Sequence, residues 1–266
     1  MNLRKATSAA ALFALAALSA GAAPFPAKLV LAQEPGQTVN VQIRWMPADK
    51  RYMAAFQGGG ERPVALEDVL SLDVQPPANW KQLVDQARKT PDAAIPGLTR
   101  IMEEYRMLGW DAEAGRVIAT IQLRKGRAKE AVETCRKVVN GNPDAAWNSV
   151  LAPVYWQALL DTNNTGALAA LLDKGATASN RGVAAQACLR RGDLLMTQGL
   201  PQKALTDGFL RVVFLYADQA GAQAEALYRA AEAFDKASRP VYAEKMRTML
   251  LSKHRGTQWA AKLGGK

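Results

Sequence analysis

One histidine and two cysteines are the side chains of this sequence best suited to proton transfer, nucleophilic attack or metal binding. His254 is the single histidine, and Cys135 and Cys188 lie far apart in the chain. A metal site needs several clustered ligands, and acid–base or nucleophilic catalysis needs a second group beside the reactive one. The sequence pattern offers neither arrangement. We therefore predict no catalytic residue, no metal and no cofactor, and we expect His254 to be a surface or helix-capping residue.

Two short segments look like ligand-binding motifs but lack essential parts. Three glycines at residues 58–60 are followed by Glu61-Arg62, without the Gly-Lys-Ser/Thr ending of a phosphate loop, so we expect a hairpin turn there. Residues 124–129 are basic enough to suggest nucleic acid or anionic lipid as a partner. They also fall where two helices are expected to join, and basic side chains favour the C-terminal end of a helix.

The first residues have the order of a cleavable secretory signal. Arg4 and Lys5 precede an uncharged apolar run at residues 9–18, and small residues follow. The run is shorter than the roughly 20 apolar residues that a membrane-spanning helix needs. We predict a signal peptide over residues 1–22 and hence a periplasmic protein, with secretion as the alternative. Because an exported protein leaves the cytoplasm, we expect no nucleic-acid partner.

Composition favours packed helices. Hydrophobic residues make up 49% of the chain but aromatic residues only 7%, and alanine supplies much of the apolar content. Such a composition suits closely packed helices better than a β-sandwich. The formal net charge of +10 would suit acidic partners, anionic lipid or cell-wall polymer. Because Lys and Arg alternate with Glu and Asp along the predicted helices, solvated helix faces are the simpler interpretation.

Residues 23–77 are predicted to form a small β-domain of three to five strands. Apolar and polar residues alternate from Val39 to Trp45, as in a strand with one buried face. A turn at residues 47–50 separates it from a second strand at residues 51–56, and further short apolar stretches follow. A domain of about fifty residues is marginal alone. Its expected core consists of Leu29, Val39, Val41, Ile43, Trp45, Phe56, Val69, Leu70 and Leu72.

From residue 78 onward the sequence becomes helical and repetitive. A recurring sequence pattern consists of a helix-ending turn followed by a small residue near the start of the next helix. The turn is clearest at Gly126 and Gly199. Glycine supplies the left-handed helix cap, and a small residue lets two helix backbones approach. One helix pair cannot bury its own apolar face, so pairs stack. The small residues are Ala94, Ala131, Ala167, Ala204 and Ala243, at steps of 37, 36, 37 and 39 residues.

These features resemble the tetratricopeptide family, and in particular the periplasmic tetratricopeptide adaptors of bacteria. The repeat that starts at Ala112 matches best, with Ala119 in its first helix, Gly126 at the turn and Ala131 in its second helix. The resemblance covers residues 78–266, with weak repeats at about residues 75–111 and 148–182. It implies a mostly α-helical fold, a solenoid of about five helix pairs preceded by the β-domain, and a non-catalytic adaptor that binds proteins through the groove along its first helices.

The repeat register predicts which side chains line this groove. An aromatic residue and several charges that face one groove could hold an extended peptide or a partner helix. The alternative is that these are ordinary solvated residues, with Trp156 in the core. The predicted groove residues are Arg116, Thr120, Arg124, Trp156, Asp193, Thr197, Tyr228, Glu232 and Asp235.

The same register bears on the two cysteines. Cys135 falls late in the second helix of one repeat, and Cys188 falls early in the first helix of the repeat after next. A whole helix pair would separate them, whereas a disulfide needs Cα atoms within about 7 Å. An exported protein can form disulfides, but we predict two buried thiols here.

Three functional hypotheses follow. The leading one is an exported scaffold that binds proteins or peptides in cell-envelope assembly or maintenance. The alternative is a structural envelope protein that binds anionic cell-wall polymer or a membrane surface through its basic charge, a contact that should weaken with salt. The third is an enzyme with accessory repeats, for which no catalytic pair is visible. The partner, the pathway and the oligomeric state stay open.

Overall fold

A computed structural model describes residues 23–264 of the chain. The predicted signal peptide at residues 1–22 lies outside the described residues. Two compact units divide between Asp73 and Val74, slightly before the predicted boundary after residue 77. Within the part that the structure describes, no helix is both long and apolar enough to cross a membrane.

The first unit is built on a five-stranded sheet. Its first four strands form successive antiparallel pairs, and the fifth lies beside the first, so the strand order is β4-β3-β2-β1-β5. A short 3-10 turn, Leu66–Asp68, leads into the last strand. The strands are β1 (Phe25–Leu31), β2 (Thr38–Met46), β3 (Arg51–Phe56), β4 (Glu61–Ala65) and β5 (Val69–Val74).

Strand alternation buries one face of this sheet. Ile43 pairs with Ala54 and Trp45 pairs with Tyr52, and these four side chains are buried. The predicted core is confirmed at Leu29, Val41, Ile43 and Trp45. It is wrong at Leu70, which is 59% exposed because β5 is an edge strand of the sheet. Val39, Phe56, Val69 and Leu72 are only half-buried, while the prediction missed Ala27, Tyr52, Ala54 and Val64.

The second unit consists of five helix pairs and a terminal helix, which confirms the predicted fold class. The first members of successive pairs contact one another, so the pairs are stacked. The pairs are α1 (Trp80–Lys89) with α2 (Pro91–Glu104), α3 (Trp110–Arg124) with α4 (Ala128–Val139), α5 (Ala152–Asp161) with α6 (Thr165–Gly175), α7 (Arg181–Thr197) with α8 (Pro201–Ala204) and α9 (Leu210–Leu215), and α10 (Ala220–Lys236) with α11 (Pro240–Lys253); α12 (Gln258–Gly264) follows. A π-helical turn, Leu205–Phe209, joins α8 to α9.

The connections within the last four pairs share one backbone geometry. Each contains a residue with positive φ: Gly126 (71°), Asn163 (56°), Gly199 (72°) and Ser238 (57°). The N–H of the following residue donates to the carbonyl five residues before it, as Arg127 does to Gln122 at 2.8 Å. This is the left-handed helix cap that glycine usually supplies. We call Gly126, Asn163, Gly199 and Ser238 the cap residues; they are 37, 36 and 39 residues apart.

The cap residues correct one predicted repeat position. Ala131, Ala204 and Ala243 each lie five residues after a cap residue and are fully buried, as expected for helix crossings. In the third pair the same count from Asn163 reaches Leu168, which is also fully buried. The predicted residue, Ala167, is exposed. The predicted register of this repeat was therefore wrong by one residue.

Both cysteines are buried thiols. Cys135 in α4 and Cys188 in α7 are fully buried and form no disulfide, so this prediction is confirmed. Burial in apolar surroundings raises the pKa of the Cys135 thiol to about 12. Burial also raises the pKa of the Cys188 thiol, against a smaller opposing effect of Arg211. Both groups therefore stay protonated and unreactive in the folded protein at neutral pH.

Candidate partner-binding cleft

A cleft of about 650 Å³ lies along three consecutive first helices. Phe209, from the π-helical turn, reaches it from behind α7. The other lining residues are Gln157, Leu160 and Asp161 of α5, Arg190, Asp193, Met196 and Thr197 of α7, and Arg229, Glu232, Asp235 and Lys236 of α10.

Equivalent positions of the three helices form this lining. Counted back from the cap residues, Gln157, Asp193 and Glu232 occupy the same place in their repeats, because each lies six residues before its cap residue. Residues four positions later on a helix lie on the same face. The residues four positions after Gln157, Asp193 and Glu232 are Asp161, Thr197 and Lys236, and all three line the cleft.

A buried arginine joins the three helices at the floor of the cleft. Arg190 is only 8% exposed. Its Nη1 donates to Gln157 Oε1 at 2.7 Å and to Asp193 Oδ2 at 2.6 Å, and its Nη2 donates to Glu225 Oε1. A buried guanidinium needs this many acceptors to offset its desolvation. The side chain of Arg190 therefore fixes α5, α7 and α10 relative to one another.

A second arginine continues the network toward α12. Arg229 lies with its Nη1 3.2 Å from Glu232 Oε2 and its Nε 3.5 Å from Asp193 Oδ1. The Nε atom is buried without a hydrogen bond, so its contact with Asp193 is a long ion pair. The guanidinium also lies 5.5 Å from the centre of the Trp259 ring, within the range of a cation–π contact.

Burial and charge act in opposite directions on Asp193. Burial raises the pKa of its carboxyl, while the positive charges of Arg190 and Arg229 lower it, and burial is the larger effect. Removing either arginine would leave this carboxylate without part of the charge that offsets its desolvation.

The rim of the cleft is exposed and polar. Asp161 accepts a hydrogen bond from Gln157 Nε2 at 2.7 Å, and Asp235 pairs with Arg247 of α11. Thr197 donates to the carbonyl of Leu194 in its own helix. Asp161, Thr197 and Asp235 are exposed, so an incoming segment would meet them first.

Four of the predicted groove residues lie in this cleft: Asp193, Thr197, Glu232 and Asp235. Three others belong to α3, which does not line it. Thr120 and Arg124 are at the positions equivalent to Gln157 and Asp161, and Arg116 pairs with Glu113 of its own helix. Tyr228 packs against Trp259 of α12, with ring centres 5.4 Å apart, and borders a smaller cavity between α10, α11 and α12.

The remaining predicted groove residue, Trp156, does not line the cleft. It is fully buried, and its indole N–H donates to the carbonyl of Ala146 at 2.9 Å. The ring fills space left by Gly175, where an added Cβ would lie 2.7 Å from it. The residue that faces the cleft is its neighbour Gln157. This displacement by one residue is the same error that placed Ala167 instead of Leu168.

The sequence prediction missed Gln157, Arg190 and Arg229. A signal for the two arginines exists, because each lies three residues before a predicted groove residue, Asp193 or Glu232, and so on the same helix face. A second signal is their equivalence, since both lie nine residues before a cap residue. Gln157 was hidden by the error in the register of its repeat.

Other reactive groups of the described chain do not gather into a second site. His254 is the C-cap residue of α11, as expected from its position. Among residues 23–264, no group of three or more His, Cys, Asp or Glu side chains has the arrangement of a metal site.

Comparisons with known proteins give limited similarity. No protein-family model and no curated protein matches the chain. Two solved structures are similar. The MamA protein shares 15% identity at a TM-score of 0.45, over 65% of this chain and 89% of its own. YrrB, described as a TPR protein with an unusual peptide-binding site, shares 16% identity at a TM-score of 0.45, over 69% of this chain and 98% of its own. The tetratricopeptide-like fold of the helical unit is established by its own five helix pairs and their recurring caps.

Proposed function

We propose that this protein is an exported, non-catalytic scaffold that binds a segment of another protein in the cleft along α5, α7 and α10. The observation that supports it best is the recurrence of the lining. Equivalent positions of three successive repeats present polar and charged side chains to one cleft of about 650 Å³. Clefts of a few hundred Å³ or more, with apolar surface and a few placed polar groups, are typical binding sites.

The floor of the cleft favours binding over catalysis. Arg190, Asp193 and Glu225 are engaged with one another and largely buried. Such a network holds three helices at fixed spacing, and a preformed cleft loses less entropy when it binds an extended segment.

Export and an envelope role are the further parts of the proposal. They are supported by the charged, apolar and small-residue order of residues 1–22. A fusion of the full chain to alkaline phosphatase, which is active only outside the cytoplasm, tests export. We expect activity with the full chain and none when residues 2–22 are deleted. Equal activity without them would reject the signal peptide.

Crosslinking in cells tests the binding function. The tagged full chain is compared with Thr197→Trp, which fills the cleft, and with Thr206→Trp, which places the same side chain at an exposed position of the π-helical turn in the same pair. Thermal melting first verifies that both variants are folded. We expect copurified envelope proteins that are lost with Thr197→Trp and retained with Thr206→Trp. Proteins retained by both variants would place the binding site elsewhere.

The net charge of +10 supports one alternative, a contact with anionic polymer or membrane surface. Cosedimentation with anionic vesicles and with purified cell-wall polymer at low and high salt distinguishes the two functions. Binding that falls steeply with salt and is unchanged by Thr197→Trp would favour the alternative.

A further inference from the structure

We infer that the cleft selects a peptide segment that carries lysine or arginine side chains beside apolar ones. This inference names the ligand class of the proposed binding function and rests on it. It follows from the balance of charge in the cleft, from the exposure of the rim carboxylates and from the apolar surface between them.

Carboxylates outnumber cationic groups in and around the cleft. The five carboxylates are Asp161, Asp193, Glu225, Glu232 and Asp235, and the four cationic groups are Arg190, Arg229, Lys236 and Arg247. Arg190 is already shared between Asp193 and Glu225, and Arg229 is shared between Asp193 and Glu232. Both arginines are therefore occupied by carboxylates of the protein, and an excess of negative charge remains.

The excess lies where a ligand would arrive. Asp161 is exposed, and its hydrogen-bond donor, Gln157, is neutral, so this contact does not compensate its charge. On the opposite side, Asp235 is exposed and uses Oδ2 to pair with Arg247. Within the described residues, no hydrogen bond or ion pair engages Asp161 Oδ2 or Asp235 Oδ1. A cationic side chain could pair with these oxygens without breaking the floor network.

The sign of this charge is opposite to that of the whole protein. The chain carries a formal net charge of +10. Clefts focus the field of the charges that line them, so the local potential differs from that of the outer surface. A basic segment would be repelled by most of the surface and attracted at this cleft, which gives discrimination as well as affinity. The exposed Lys236 lies beside Asp235 at the end of α10 and weakens the attraction there, so Asp161 on α5 is the stronger point of attraction.

Apolar surface lies between the charged groups. Leu160 and Met196 are half-buried in the lining, between Asp161 and the α10 side chains. The aliphatic stems of lysine and arginine pack on such surface while their charged ends reach polar groups. Methionine adapts its shape to different neighbours. The cleft therefore fits segments in which cationic and apolar side chains are adjacent, with tolerance for the apolar residue.

Selection from a random dodecapeptide display library tests the inference. The library is selected on the immobilised full chain and sequenced, in parallel with selections on two variants. Thr197→Trp fills the cleft. Asp161→Lys combined with Asp235→Lys leaves it open and reverses the charge of two exposed rim residues, so folding should be retained; melting curves verify this for both variants.

We expect peptides enriched on the wild type, but not on Thr197→Trp, to be rich in Lys and Arg. A synthetic peptide of that kind should bind the charge-reversed variant roughly tenfold more weakly, because two attractive contacts become repulsive. Neutral or acidic peptides that depend on an open cleft would overturn the ligand class and leave the binding function intact. No enrichment above Thr197→Trp would overturn both. Basic peptides that bind the charge-reversed variant equally well would also overturn the ligand class.

Discussion

Gly192 in α7 and Gly208 in the π-helical turn are in backbone contact. A methyl group added to Gly208 would lie 2.5 Å from the Cα atom of Gly192 and 2.7 Å from its nitrogen. Phe209 packs over the same place, since a Cβ on Gly192 would lie 2.4 Å from its ring. The two helices of the fourth pair therefore cross without intervening side chains, and this close crossing brings Phe209 to the back of the cleft.

Gly208→Ala should destabilise the protein, because backbone atoms cannot yield as a flexible side chain would. Overpacking of this kind costs about 1–3 kcal/mol, or roughly 2–10 °C in melting temperature for a unit of this size. Gly221→Ala in α10 is the control, since an added Cβ there meets nothing within 4 Å. Equal melting temperatures for the two variants would show that the crossing relaxes freely.

Truncation of Trp156 and of its neighbour Gln157 should lower stability by very different amounts. Trp156→Ala leaves a large cavity and an unpaired carbonyl at Ala146, and should lower the free energy of unfolding by about 3–5 kcal/mol. Gln157→Ala removes a half-buried side chain from the cleft and should cost much less, although it removes one acceptor from Arg190. Urea unfolding followed by circular dichroism measures both. A small effect of Trp156→Ala would show that this side chain is not part of the core.

Arg190→Met tests the floor of the cleft. Without Arg190, Asp193 and Glu225 remain largely buried and lose the guanidinium between them, which should cost about 3–5 kcal/mol. The control is Arg88→Met, which breaks an exposed pair with Asp85 worth at most about 1 kcal/mol. Comparable losses of stability in the two variants would mean that the network contributes no more than a surface ion pair.

The thiols should react only after unfolding. Burial raises the pKa of Cys135 from its ordinary value of 9.0 to about 12, so the folded protein holds this proton more tightly than the unfolded chain does. Its contribution to stability is complete below pH 9 and is lost as the pH rises toward 12. At pH 8, Ellman's reagent should detect no thiol in the native protein and two in guanidinium without reductant. No thiol after unfolding would indicate a disulfide.

The pH dependence of stability gives a second test. Between pH 9 and 11, the Cys135→Ala variant should lose less stability than the wild type does.

Substitutions at two of the cap residues should change the stability of the protein in opposite directions. Gly199→Ala should cost about 1–2 kcal/mol, because its φ of 72° strains any side chain and an added Cβ meets nothing within 4 Å that could compensate. Ser238→Gly relieves the same strain at the equivalent position and should raise stability by up to about 1 kcal/mol. Urea midpoints measure both. A loss of stability with Ser238→Gly would show that its side chain contributes more than its backbone costs.

The sequence was sufficient to predict the stacked helix pairs because glycine marked the turns at Gly126 and Gly199. In the third pair the turn is made by Asn163, while a glycine stands three residues later at Gly166 and is exposed inside α6. The repeat was therefore aligned on the wrong residue, which misplaced both Leu168 and Gln157. Residue type alone does not distinguish a glycine that adopts positive φ from one that does not.

Side-chain pairing was harder to predict than the fold. In the sequence, Arg190 is one of many basic residues that alternate with acidic ones along the predicted helices. Its burial depends on acceptors from three helices, Gln157, Asp193 and Glu225, which are brought together only by the stacking of repeats. In the sheet, the alternation of β2 identified its buried face, whereas the edge position of β5, and with it the exposure of Leu70, depends on strand order.

The cap residues also affect how relatives of this protein can be recognised. Two are glycine, one is asparagine and one is serine, yet all four adopt the same left-handed backbone at the same place in the repeat. The repeat boundary is thus conserved within the chain as a backbone dihedral angle and only partly as a residue type. A comparison based on the periodic recurrence of that angle would align all four units in phase, including the one that comparison by residue identity displaces.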